Sequence, residues 1–362
     1  MEIQRKPFDA VAPGPVAIFG SGETSASGRR VYEWLFRRSS PPVRVSVLET
    51  PAGFQPNSAQ VAGKVGDFLR RHLQNHRPVI DIVPARRRGD HLGTDDEGIL
   101  SPVLSADMIF LGPGSPTYAV RHLQGSIAWH TIQACHRQGA SLVLASSAAI
   151  AAGARALPVY EIYKAGEDLH WRDGLDLFGP YGLSLVFVSH WNNTEGGSEL
   201  DTSRCYMGAA RFHRLLEMLP PDLTVVGVDE HTALLLDPAE ENCRVMGRGG
   251  VTLLRSGQED MFGSGQTFPI TELGRLRSID PRSGVPVGIW ARVAEARHRS
   301  PDAAVSEPPP EVLSLVEARE KARSSADWKA SDALREQIRV SGWRIEDTPG
   351  GPQLTPTCDA AE

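Results

Sequence analysis

The stretch Ser141-Leu142-Val143-Leu144-Ala145-Ser146-Ser147-Ala148-Ala149-Ile150 is an apolar run that stops in two serines and continues in very small residues. Its first half reads as a strand buried on both faces. A serine at the carboxyl end of such a strand, with a helix starting at once, is held up at the edge of a sheet in the layout of a nucleophile elbow. Small neighbours suit a tight, strained turn. The same residues also read as a plain helix start with serine as its N-cap. Partners elsewhere in the chain must decide between the two.

Outward from this stretch, β-rich runs at Val16–Gly20, Val43–Leu48, Val79–Val83 and Met108–Leu111 alternate with amphipathic segments such as Val31–Arg38 and Val61–Gln74. This alternation predicts an α/β fold, a three-layer, doubly wound, mostly parallel sheet with helices on both faces. Ligands of such folds sit beyond the carboxyl ends of the strands. Besides the elbow, two strand ends carry candidate loops, Gly20-Ser21-Gly22-Glu23 and Gly112-Pro113-Gly114-Ser115-Pro116. The first has Ser25 where a dinucleotide fingerprint needs its third glycine, which argues against a nucleotide there. Further strands are expected at Leu185–Val188, Leu223–Val228, Thr232–Leu236, Cys243–Met246 and Val251–Leu254, the later ones as an antiparallel edge.

The 362 residues, 41% of them hydrophobic, allow one large α/β domain and something smaller. A net charge of −6 gives no overall nucleic-acid or membrane footprint. Cys135, Cys205, Cys243 and Cys358 are scattered without CxxC spacing, so neither a metal site nor a disulfide framework is indicated, and a cytoplasmic location is expected. No stretch is apolar for long enough to span a bilayer, and the first residues lack a signal-peptide core. The expected layout is an N-terminal extension over 1–13, the α/β domain over 14–277, a linker over 278–310 rich in Pro, Ser, Arg and Ala, a helical module over 311–350 and a tail over 351–362.

A serine hydroxyl is a poor nucleophile until a base takes its proton. His190 follows a strand and opens a polar loop, which makes it the best-placed base among 11 histidines. With His190-Trp191 and the segment Gly227-Val228-Asp229-Glu230-His231-Thr232-Ala233-Leu234 in view, residues 14–276 resemble the cyanophycinase and dipeptidase E family of serine peptidases. That family has a flavodoxin-like, class I glutamine amidotransferase-like fold. Its Gly-Thr-Ser-Ala-Gly-Ala elbow is similar to Ala145 through Ile150, and the resemblance implies Ser147 as nucleophile and His190 as general base and then acid. It implies Glu230 as the acid orienting His190, with Asp229 and Asp201 in reserve, and the amides of Gly114 and Ala148 as the oxyanion hole. Arg204 and Arg211, with Asn192 and Asp201 of the polar loop, are the implied substrate contacts for a small acidic peptide or isopeptide. No metal or cofactor is implied.

The chain departs from the family's pattern in three places. Ala145 and Ala149 replace glycines, and a left-handed alanine at 149 would cost about 1 kcal/mol. Val188 stands where an acidic residue is expected two before the histidine. These departures also suit a catalytically inactive homologue that binds a small amino-acid-like ligand.

The last segment carries a different resemblance. Arg319, Ala322, Asp327-Trp328, Asp332-Ala333-Leu334-Arg335, Gly342 and Glu346-Asp347-Thr348-Pro349-Gly350-Gly351 resemble the C-terminal helical part of cysteinyl-tRNA synthetases. No HIGH-like or KMSKS-like signature for ATP accompanies them. Two helices are expected, Glu311–Ser324 and Asp327–Val340, with Leu315, Val316, Trp328, Leu334 and Ile338 on the apolar face and Ser341-Gly342 as the stop. Seven Lys or Arg against eight Asp or Glu between Glu311 and Asp347 do not make a basic RNA-binding surface. Docking on the α/β domain or self-association, as in a homodimer, is the expected role, and contact with tRNA or a synthetase the alternative.

Overall fold

The computed structural model describes residues 12–298, 309–325, 327–341, 343–348 and 351–356. They fall into two units, divided between Arg297 and His298. Expectations for the N-terminal extension before Ala12, for the Gly342 stop, for Pro349-Gly350 and for Cys358 lie outside the described residues.

In the first unit, β1 (Val16–Phe19), β2 (Arg44–Leu48), β3 (Val79–Val83), β4 (Met108–Leu111) and β5 (Ser141–Ala145) lie parallel in the order β1-β5-β4-β2-β3. Alternate side chains feed two cores, as the two-residue period of a strand requires. Ile18, Ile109, Leu111 and Leu144 face one. Phe19, Phe110, Val143 and Ala145 face the other, where helices Ala26–Phe36 and Ser58–His72 cover them with Val31, Leu35, Val65 and Leu69. The fold is thus the α/β, mostly parallel arrangement that the alternating pattern predicts.

The later strands depart from a single sheet with a plain antiparallel edge. After a two-residue ribbon of β6 (Arg155–Ala156) and β7 (Arg172–Asp173), β8 (Leu185–Val188) and β9 (Thr224–Val228) enter a separate sheet. Its order is β13-β12-β9-β8, completed by β12 (Gly250–Arg255) and β13 (Gln258–Gly263). This second sheet packs Val186, Val188, Val226 and Val251 into the core that also holds Ile18 and Leu144. Meanwhile β10 (Thr232–Asp237) runs antiparallel beside β1, followed by β11 (Asn242–Gly247) and β14 (Thr267–Pro269). Only Asp229-Glu230-His231 joins β9 to β10, too short for the crossover that a parallel neighbour would need. The chain therefore switches sheets there and returns antiparallel, with His231 at φ 55°.

The change of composition at Ser278 does not end this unit. Val285 and Val293 are buried in its core, the latter on the helix Val287–His298. Arg137 also donates to the carbonyls of Pro281 and Ser283. The stretch expected as linker over 278–310 is thus folded up to His298, and 299–308 lie outside the described residues.

The second unit contains the two expected helices, Pro310–Ser324 and Trp328–Val340, the latter capped by Asp327, which accepts from the Ala330 amide at 3.0 Å. A hairpin of β15 (Trp343–Thr348) and β16 (Gly351–Pro356) follows, so part of the stretch expected as a tail is a paired strand. Val312, Ile338, Trp343 and Ile345 form its core, with Leu315, Val316 and Leu354 against them. Trp328, expected on the apolar face, is 61% exposed.

Candidate active site

Three chain segments converge here, one from the end of β5 in the main sheet and two from the ends of β8 and β9 in the second sheet, and each supplies one group. At the end of β5 the backbone turns sharply at Ser146, with φ 52° and ψ −110°, and the helix Ser147–Ala151 begins at once. A non-glycine residue held there costs of order 1–3 kcal/mol, which the surrounding contacts must offset. The Ser146 amide donates to Phe19 O at 3.1 Å, and its carbonyl accepts from the Ser189 hydroxyl at 3.1 Å. The elbow is therefore tied to the ends of both β1 and β8.

The Ser146 hydroxyl lies 3.0 Å from His190 Nε2, and His190 Nδ1 lies 2.9 Å from Glu230 Oε1. Ser147, expected in that place, is instead 3% exposed, and its hydroxyl donates to the Gly112 carbonyl at 3.2 Å. The correction follows from where the strand ends. Its last paired residue, Ala145, sits opposite Phe19, so the turn falls on 146 and the helix takes 147 inward. Ala149 lies inside that helix, so the cost foreseen for a left-handed alanine does not arise.

Glu230 is placed by the three-residue connection between β9 and β10. Asn193 Nδ2 donates to its Oε1 at 3.0 Å, and Asn192 Oδ1 accepts from its amide at 2.8 Å. Burial works against the charged carboxylate, but the hydrogen bonds from Asn193 and His190 and the charges of His190 and His231 outweigh it, holding the Glu230 carboxyl below its ordinary range. Asn193, buried among the loop residues, has no distinguishing signal in the sequence; only the fold brings it to Glu230.

The other positions of this segment are architectural. Gly227 leaves room for Trp191, because a Cβ there would come within 2.3 Å of its ring. Asp229 accepts from the Gly250 amide at 2.8 Å, tying β9 to β12, and is not the partner of His190. Thr232 Oγ1 donates to the Glu230 carbonyl at 3.1 Å.

The expected substrate contacts are likewise engaged elsewhere. Arg204 stacks over Trp191 with its guanidinium 4.0 Å from the ring centroid. Arg211 donates to the carbonyls of Met207 and Tyr206. Asp201 accepts from the amides of Ser203 and Ala209 and shapes the start of the helix Gly208–Glu217. None of Arg204, Arg211, Asn192 and Asp201 lines the cavity at Ser146.

That cavity holds about 290 Å³ and is bounded by Gly114, Ser146, His190, Lys164, Glu195 and Tyr206 among others. Gly114 is confined by Pro51, whose carbonyl oxygen would stand 1.8 Å from an added Cβ. Burial pushes the Tyr206 phenol up, and its hydroxyl donates to Glu195 Oε2 at 3.0 Å. Burial also pushes the Cys205 thiol, on the cavity wall, up to about 12, so it stays protonated and is no competing nucleophile. Arg204, Cys205 and Tyr206 are three successive residues at positive φ, joined nearby by Ser146, His190 and His231. Four residues of the cavity wall, Ser146, His190, Cys205 and Tyr206, thus hold positive φ, as at sites where strain is retained for a purpose.

With fold and geometry in hand, the first unit is a mostly parallel α/β unit in which a serine, a histidine and a glutamate meet. It shares its fold with a solved peptidase from an acI-B1 Actinobacterium, at TM-score 0.57 and 19% identity over 72% of this chain and 98% of that one. No family model matches the chain. A part of the chain is similar to cysteine–tRNA ligases, in keeping with the synthetase-like C-terminal residues. The ligase of Methanosarcina mazei is 33% identical over 108 residues, 28% of this chain and 23% of the ligase. That of Rubrobacter xylanophilus is 49% identical over 49 residues, 14% of this chain and 10% of the ligase. The chain therefore spans less than a quarter of the length of these curated relatives. Among the described residues no helix is long and apolar enough to cross a membrane.

Proposed function

We propose that the first unit is a serine-type hydrolase of small peptides or isopeptides, with Ser146 as nucleophile. The observation that carries this reading is the unbroken line from Ser146 Oγ through both ring nitrogens of His190 to Glu230. His190 Nε2 takes the Ser146 proton as Oγ attacks the substrate carbonyl carbon, and the carbonyl π electrons move onto oxygen. The tetrahedral oxyanion lies between the amides of Gly114 and Ser147, each donor contributing about 3 kcal/mol when well placed. Ser147 N–H takes the place first expected for Ala148 because the nucleophile is one residue earlier, and an amide in the first helical turn has no intrahelical acceptor. The C–N bond then breaks as His190 returns the proton to the leaving amine, leaving an acyl ester on Ser146. Water, deprotonated by His190, cleaves that ester, and the proton returns to Ser146. Glu230 stays ionised throughout, holding Nδ1–H and stabilising the imidazolium.

Lys164 is the one lysine or arginine among the described residues lining the cavity, and, with the Glu195 carboxylate engaged by the Tyr206 hydroxyl, it supports an acidic or carboxylate-bearing substrate in place of the two arginines. The test is turnover of an aspartyl and isoaspartyl dipeptide panel by the full chain. Release of amino acid that disappears in Ser146→Ala supports the reading, and no turnover together with no labelling of Ser146 by a fluorophosphonate refutes it. The ligase likeness favours a second role for the C-terminal unit, contact with tRNA, which a mobility shift with the full chain tests.

A further inference from the structure

At the opposite edge of the main sheet lies a larger cleft of about 800 Å³ that the proposed hydrolysis does not use. Its walls come from the segment before β1, the end of the helix Ile127–Arg137 that leads into β5, and the stretch after β14. Since Ser146 follows β5 and Arg137 precedes it, the strand's five residues separate the two sites by about 17 Å.

Four arginines line this cleft, Arg137, Arg255, Arg275 and Arg277, against the single carboxylate of Glu241. None of the four forms an ion pair with a carboxylate among the described residues. Arg137 is 3% exposed and is fixed by the carbonyls of Pro281 and Ser283, and Arg255 donates to the Glu272 carbonyl at 3.2 Å. Neutral carbonyls orient these guanidinium groups without cancelling their charge. Tyr181, 8% exposed, also lines the cleft, with its hydroxyl buried beside Arg137. Pro13, Ile270 and Leu276 add apolar surface.

We infer that this cleft binds a phosphate-bearing small molecule of nucleotide size. A cavity of this volume is in the range of small-molecule sites. An excess of three positive charges is matched by a polyphosphate and not by a lone carboxylate, and guanidinium forks pair well with phosphate oxygens. The apolar wall accommodates the organic body.

Isothermal titration of the full chain with ATP, pyrophosphate and adenosine tests this. ATP and pyrophosphate should bind saturably and more weakly as salt rises, with adenosine far weaker than ATP. The exposed pair Arg275→Ala/Arg277→Ala should weaken ATP at least about tenfold, Arg255→Ala should weaken it too, and Ser146→Ala should bind as wild type. Thermal melts identify any variant that fails to fold, and Arg30→Ala on a distant helix controls for net charge. The inference is overturned if neither ATP nor pyrophosphate saturates by about 1 mM, if folded Arg275→Ala/Arg277→Ala and Arg255→Ala both match wild type, or if adenosine binds as well as ATP.

Discussion

The two neighbouring serines give opposite expectations when each is replaced by alanine. In Ser146→Ala the oxygen 3.0 Å from His190 Nε2 is gone and no acyl ester can form. Loss of the nucleophile from an assembled triad lowers kcat by on the order of 10⁴–10⁶. In Ser147→Ala the lost group is a hydroxyl whose hydrogen bond is to Gly112 O, worth about 1 kcal/mol of stability. The main-chain amide of residue 147, proposed above as an oxyanion donor, is untouched by that change, so kcat should stay within about tenfold of wild type. A fluorophosphonate probe reads the difference without a known substrate, since it reports the activated serine directly. Peptide mapping of the labelled full chain should place the adduct on Ser146, equally in wild type and Ser147→Ala, with none in Ser146→Ala. An adduct on Ser147, or full labelling of Ser146→Ala, refutes the reasoning.

Three further outcomes follow from the same geometry. Glu230→Gln keeps the size of the side chain but loses the carboxylate that holds His190 Nδ1–H, and should reduce the labelling rate or kcat by on the order of 10³–10⁴; a loss below tenfold would remove Glu230 from the triad. Gly114→Ala places a Cβ against Pro51 O and displaces the loop carrying one oxyanion donor, so kcat should fall by about 100-fold or more while thermal melting drops. His136 is buried with its ring Nδ1 unpartnered, and burial, reinforced by Arg137, lowers it from 6.5 to about 4. Between these values the unfolded chain binds the proton that the folded one refuses, so this contribution is intact above about pH 6.5 and is lost as pH falls towards 4. At about 1.4 kcal/mol per unit it amounts to ~3 kcal/mol, and urea denaturation at pH 7 and 4.5 should show a smaller pH dependence for His136→Leu than for wild type.

Much of the architecture was legible because it rests on local signals. Apolar runs of four or five residues separated by helical periods mark β1 to β5, and their parallel alignment follows from helices covering both faces of the sheet. Less legible was the fate of β8 to β10, because whether a strand joins the main sheet or a second one depends on partners remote in sequence. The helix Val287–His298 was masked by a composition that reads as linker, although its packing is set by Val285 and Val293 entering a core built elsewhere. The family resemblance implies Arg204 and Arg211 as substrate contacts, yet their groups are satisfied by a tryptophan face and main-chain carbonyls.

By itself the sequence determined that a serine elbow, a histidine after a strand and an acidic turn share one α/β frame, since each is written in a few contiguous residues. Only the tertiary structure decided which serine meets the histidine. Ala-Ser-Ser-Ala-Ala is nearly unchanged by a shift of one residue, so its composition cannot place the turn. The pairing of Ala145 with Phe19 ends the strand there, and the backbone reversal at the next residue turns Ser146 towards His190 and Ser147 into the core.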